Sequence, residues 1–265
     1  MLRDITLGQY YRADSFIHRL DPRVKLFGVF AYLILLFTCE SIFSYLLAGL
    51  FLMFIIYVSK VPLRFIVRGL KAIFIILFIS VFFNIFYTPG RILFELYFIK
   101  ITYEGIIKAV FMGIRFVFII ISSSMLTLTT TPNNLTDGLE KSLGFLKKIK
   151  IPVHEIALMM SIALRFIPIL MEETDKIMKA QIARGADFES GGLLTKAKKM
   201  IPILVPLIIS SFKRAGDLAT AMDARCYRGG EFRTKMRPLK YNINDRIGYA
   251  VIGGFTMIMI VINLL

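Results

Sequence analysis

Soft ligands are scarce here, since the 265-residue chain carries two cysteines and two histidines. Cys39 and Cys226 stand far apart, without C-x-x-C spacing or a neighbouring histidine, so neither a zinc site nor a disulfide framework is indicated. His18 and His154 share no acid or thiol at ligand spacing, and His18 reads as a surface or interfacial residue rather than a metal ligand. There is no G-x-x-x-x-G-K-S/T phosphate loop, H-E-x-x-H or G-x-S-x-G pattern, so the chain is not expected to hydrolyse nucleotide. Acids are outnumbered, 18 against 33 Lys+Arg, for a formal charge of +15. A balance this basic points to nucleic acid or to an anionic membrane surface. The abundant residues favour the membrane, because 57% of the chain is hydrophobic against about 45–50% apolar in soluble domains. The first 25 residues hold Arg3, Arg12, Arg19, Arg23 and Lys25 with no apolar core between them, so no cleavable signal peptide is expected.

A spanning helix needs about 20 mostly apolar residues, and five segments approach that: Leu26 to Cys39, Ser41 to Ser59, Ala72 to Gly90, Ile106 to Thr130 and Ile247 to Leu265. Glu40 leaves almost no loop between the first two, which read as a tight hairpin. The third stops at Thr88-Pro89-Gly90, a strong turn signal. The fourth is weakest, since it contains Arg115 and several Ser and Thr residues. Basic residues gather before the first span and again at Lys60, Arg64, Arg68 and Lys71, which places both stretches inside. The mixed stretch Arg91 to Lys108 reads as outside. Thr131 to Arg246 holds 20 of the basic residues with 12 acids, too strong a bias for the outer face. The expected protein is an all-α integral membrane protein of about five spans: residues 1–131, a cytoplasmic amphipathic helical module over 132–246, and a last span over 247–265 ending outside.

Within the module, Leu135, Leu139, Leu143 and Leu146 recur at helical spacing after the break at Thr131-Pro132. Pro152 opens a second helix whose rear half carries Glu172–Lys176 and Asp175–Lys179 in the favourable acid-before-base order. A third helix is expected from about Leu193 to Arg225. Its uncharged run Met200 to Phe212 is too short to span, and Pro202 and Pro206 are expected to bend it. Both long helices close on one pattern, A-x-x-A-R-x, in Ala180 to Gly185 and Ala221 to Cys226. One reading is a plain helix stop, an arginine complementing the macrodipole beside a C′ glycine. The other makes each arginine a docking plug that offers a planar fork to carboxylates on a partner.

At these residues the chain resembles the transmembrane T component of energy-coupling factor (ECF) transporters, a class of ABC importers. The resemblance rests on Ser15 to Lys25, on Thr129-Thr130-Thr131-Pro132 with Leu135 and Leu139, and on Ala163 to Pro168. Most specific are Ala183-Arg184-Gly185 and Ala224-Arg225-Cys226, which resemble the paired Ala-Arg-Gly signatures of that family's coupling helices. Cys226 departs from the usual glycine. A left-handed backbone disfavours Cys, so that helix is expected to end one residue later or to rely on Gly229. The resemblance implies two cytoplasmic ATPase subunits that receive Arg184 and Arg225, and a small substrate-binding membrane subunit, the S component. It implies that ATP and Mg sit on the ATPases, with no cofactor on this chain and no enzymatic role for it. It also implies uptake of a vitamin or transition-metal ion across a bacterial or archaeal cell membrane. Met159, Met160, Met171 and Met178 fit a pliable surface for the S component, or else ordinary core. The segment from His18 to Lys25 fits an N-terminal clasp or an interfacial anchor.

Two alternatives stay open. The T component is either shared among S components or dedicated to one nickel, cobalt or biotin system. From a different class, a membrane enzyme acting on lipid or isoprenoid substrates would need clustered acids at a membrane edge, and the nearest, Glu172, Glu173 and Asp175, lie among lysines.

Overall fold

The computed structural model describes residues 10–39, 41–96, 99–188, 190, 192–229, 236 and 238–264. Arg3, Glu40, Gly191, Gly230 and Leu265 lie outside the described residues. Helices run over α1 (Phe16–Arg19), α2 (Pro22–Thr38), α3 (Ile42–Ser59), α4 (Leu63–Tyr87), α5 (Tyr103–Thr129), α6 (Pro132–Ser142), α7 (Val153–Ala183), α8 (Leu193–Ala224) and α9 (Ile243–Leu264). Leu143–Ile149 is a 3-10 segment. The helical membrane architecture carries one small addition: β1 (Ile92–Leu96) and β2 (Ile99–Thr102) pair antiparallel, Glu95 opposite Lys100. That hairpin occupies the charged connection after Thr88-Pro89-Gly90. Two compact units result, Leu143–Pro238 in one and Gly8–Ser142 with Leu239–Leu265 in the other.

The unit containing Gly8–Ser142 is the membrane bundle. By length and composition α3, α5 and α9 can each cross a bilayer. α2 has 17 residues, about 26 Å of helix, close to the thickness of the hydrocarbon core. In α4 the apolar stretch is Phe74–Tyr87. The helix nevertheless begins at Leu63, because long basic side chains near a span end carry their charge back to the interface. Tyr32, Leu36, Ala48, Leu52, Phe255 and Met259 from α2, α3 and α9 form the main core, centred on the Phe51–Phe255 stack at 3.9 Å. Glycines let α2 and α9 close up, since a Cβ on Gly28 would stand 2.8 Å from Ile252 Cδ1, the small-residue packing that membrane helices use. Phe30, Ile34, Phe37 and Phe43 remain exposed because their solvent is lipid.

Arg115 has its charge satisfied inside this bundle. Its Nε donates to the Tyr45 hydroxyl and its Nη2 to the Cys39 carbonyl, each at 2.9 Å. Cys39 is the C-cap of α2, where the helix dipole favours a cation, so Arg115 ties three helices together as a structural group.

The His18 to Lys25 segment is a clasp. Asp21 caps α2, accepting from the Arg23 N–H at 2.9 Å, while its own N–H donates to the buried Asp245 carboxylate at 2.7 Å. Asp245 also accepts from the Asn242 N–H at 2.6 Å, which joins the starts of α2 and α9. Lys25 Nζ donates to the carbonyls of Thr129 at 2.8 Å and His18 at 3.3 Å. α6 packs on α2 through Gly138, where a Cβ would meet Pro22 at 2.8 Å.

The unit Leu143–Pro238 is built on α7 and α8, which pack together. Helix α7 continues through Pro168 and α8 through Pro202 and Pro206. Helix α7 is also long and apolar enough to cross a membrane, because its front half is almost free of charge. The expected Glu172–Lys176 and Asp175–Lys179 pairs are not formed among the described residues. Ion pairs between long, exposed side chains one turn apart gain little against the entropy of holding them, and the pair that does form is interhelical: Glu173 meets Arg214 Nη2 of α8 at 2.7 Å.

Candidate functional site

Both long helices of this unit end in the same backbone motif. At the end of α7, Arg184 is the C-cap; the Gly185 N–H donates to Ile182 O at 2.9 Å and the Ala186 N–H to Gln181 O at 3.0 Å. At the end of α8, Arg225 is the C-cap; the Cys226 N–H donates to Asp223 O at 2.9 Å and the Tyr227 N–H to Met222 O at 3.0 Å. These are the two bonds of a Schellman motif, made twice in identical register. Gly185 takes φ +88° and Cys226 φ +58°, so both C′ residues are left-handed.

The expectation for Cys226 is therefore corrected: α8 ends at Ala224, not a residue later, and Cys226 itself takes the turn. The two capping bonds satisfy carbonyls that the helix end would otherwise leave open, and they outweigh the steric cost of a Cβ there. Gly229 is also left-handed at φ +91°, but it lies beyond the cap.

The motif places each arginine at the tip of a rigid helix. Ala180, Ala183, Arg184 and Gly185, and Ala221, Ala224, Arg225 and Cys226, are all exposed. Neither guanidinium forms an ion pair among the described residues. The alanines keep the neighbouring surface low, so a partner can approach the arginine closely. Glu173 and Arg214, the linked pair, stand eleven residues before Arg184 and Arg225 respectively. Each tip is thus about 16 Å of helix beyond the tie, an equal arm on both helices.

The methionines occupy α7. At 100° per residue Met160, Met171 and Met178 share one face, and Met159 lies a quarter turn away. Met159 and Met160 are exposed, while Met171 and Met178 are half-buried. On α8, Ile201, Leu204, Val205, Ile208, Ile209 and Phe212 leave a continuous apolar face exposed. This face falls within the uncharged run Met200 to Phe212 marked in the sequence, too short for a span and too apolar for a solvated helix. Among the described residues no cluster of His, Cys, Asp or Glu is placed to hold a metal ion.

Comparison with known proteins accords with these features. The family model described as cobalt transport protein, CbiQ, matches residues 13–236. An energy-coupling factor transporter transmembrane protein EcfT of Clostridium kluyveri is 56% identical over 249 residues, covering 93% of this chain and 92% of that protein. Proteins of the same description from Bacillus subtilis and Lactococcus lactis are each 48% identical, the former over 92% of this chain and 93% of its own length, the latter over 93% of both. A match over nearly the whole length, with the paired arginine caps inside it, makes this chain a member of the CbiQ/EcfT family of energy-coupling factor transporter transmembrane proteins.

Proposed function

We propose that the chain is the energy-coupling subunit of an ECF-type importer, a passive lever between two cytoplasmic ATPase subunits and a substrate-binding S component. Arg184 and Arg225 each enter an acidic groove on one ATPase. The observation that carries this reading is the pair of matched Schellman caps, which present two charged tips on equal arms beyond the Glu173–Arg214 tie. When the ATPases close around ATP, the tips are drawn with them, and α7 and α8 are stiff enough to pass that displacement on. The exposed apolar face of α8 and the α7 methionines Met159, Met160, Met171 and Met178 bear on the S component, which reorients and releases a vitamin or metal ion inside. In this arrangement the N-terminus and the α7–α8 unit are cytoplasmic, the C-terminus is outside, and hydrolysis takes place on the ATPases alone.

Removing one partner of a desolvated charge pair costs about 2–5 kcal/mol. The double substitution Arg184→Ala with Arg225→Ala is therefore expected to leave the chain in the membrane while abolishing copurification with the ATPases. Recovery of the intact complex at wild-type yield would remove the docking role.

A further inference from the structure

Helices α3 and α9 meet at one end of the bundle and part at the other. Ser44 Oγ donates to Asn263 Oδ1 at 2.7 Å, and Phe51 stacks on Phe255. Past that stack, towards Ser59 on α3 and Ile247 on α9, the helices enclose a cavity of 240 Å³ lined by Val24, Val29, Ile55, Val58, Met125 and Ile252, among others. Phe54 and Val251, also in its wall, are 56% and 44% exposed, so the cavity opens on the outer surface of the bundle, where the neighbour is lipid. Its one charged group, Lys25, already donates to two backbone carbonyls and contributes only its methylenes. An apolar cavity of about 150 Å³ stays dry and takes up hydrocarbon; this one is larger.

Directly against it lies a polar cleft of 580 Å³ that shares Phe16 and Val58 with the cavity and is lined by Asp14, Arg19, Tyr57, Lys60 and Asn244. Asp14 and Arg19 neutralise each other through a bond of 2.6 Å. Lys60, the C-cap of α3, leaves the cleft with one net positive charge. An apolar slot beneath a cleft of charge +1, at the membrane end of a span, has the shape and charge complement of one molecule.

We propose that cavity and cleft form a single site for one anionic phospholipid of the leaflet at the Lys60 end. One acyl chain fills the slot, and the phosphodiester faces Lys60 and Asn244. The lipid then braces the open ends of α3 and α9. The site depends on the chain's residence in the membrane and is independent of the ATPase docking at Arg184 and Arg225.

The absence of tryptophan from the chain permits a direct test. A Phe54→Trp reporter at the cavity mouth is reconstituted, in the full chain, into phosphatidylcholine vesicles containing increasing phosphatidylglycerol. In parallel series the bromine quencher is carried on the chains of one lipid or the other. The expected result is about five-fold preferential quenching by brominated phosphatidylglycerol, the preference one lysine supplies near a surface. Adding Lys60→Asn, which tolerates the left-handed cap, should reduce the preference to near unity. Val251→Trp on the facing helix should repeat the pattern even if the first reporter plugs the slot, whereas Met257→Trp, on the lipid-exposed flank, should show no preference. Equal quenching by both lipids at Phe54→Trp and Val251→Trp, a preference untouched by Lys60→Asn, or displacement by free inorganic phosphate would each overturn the proposal.

Discussion

Cys226 shows how much a single residue can carry at a helix end. It holds φ +58° where glycine would do so freely, at a steric cost of about 1–2 kcal/mol that the cap bonds offset. Cys226→Gly should therefore stabilise the protein by about 1 kcal/mol and raise its melting temperature in detergent without altering ATPase copurification; an unchanged or lower melting temperature would refute the strain. The sequence shows a cysteine where the cap favours glycine, but not that two local cap bonds hold the helix to its end there. Arg184 and Arg225 themselves were legible, since A-x-x-A-R-x repeats the small-residue strip and the cap in one string.

At the scale of the element, the spans were the readable part because bilayer thickness fixes their length. Uncharged runs marked α2, α3, α4 and α9, but the start of α4 lay hidden behind Arg64 and Arg68. The β1–β2 hairpin was missed because Ile92–Leu96 and Ile99–Thr102 are too short to show a strand period against their charged surroundings. Asp245 was also missed, though an acid in the first turn of α9 beside Asn242 is a capping signal. The Glu173–Arg214 tie could not be read at all, because it depends on the packing of α7 against α8. Both side chains are partly exposed, so breaking the tie should cost under about 1 kcal/mol. On the proposed lever function, its larger effect is expected to be mechanical. Glu173→Gln should keep both ATPases bound yet lower the solute moved per ATP hydrolysed, and the exchange Glu173→Arg with Arg214→Glu should restore that ratio. An unchanged ratio in Glu173→Gln would show that the tie carries no load.

At the scale of the whole molecule, α7 makes topology a sharp question, since composition alone would let it span. In the lever account it does not. Cysteines placed at Lys150 and Lys179 in a Cys226→Ser background should both react with an impermeant maleimide from the cytoplasmic face of inverted vesicles, whereas labelling from opposite faces would mean that α7 crosses. On the proposed function this subunit transmits work and generates none. The most direct measurement is solute accumulation in proteoliposomes supplied with ATP, comparing the chain alone, the chain with its S component and two ATPases, and the same complex carrying Arg184→Glu and Arg225→Glu. The account predicts no accumulation by the chain alone, accumulation by the full complex, and its loss in the double variant while the ATPases still turn over. Accumulation by the chain alone, or wild-type uptake in the double variant, would contradict it.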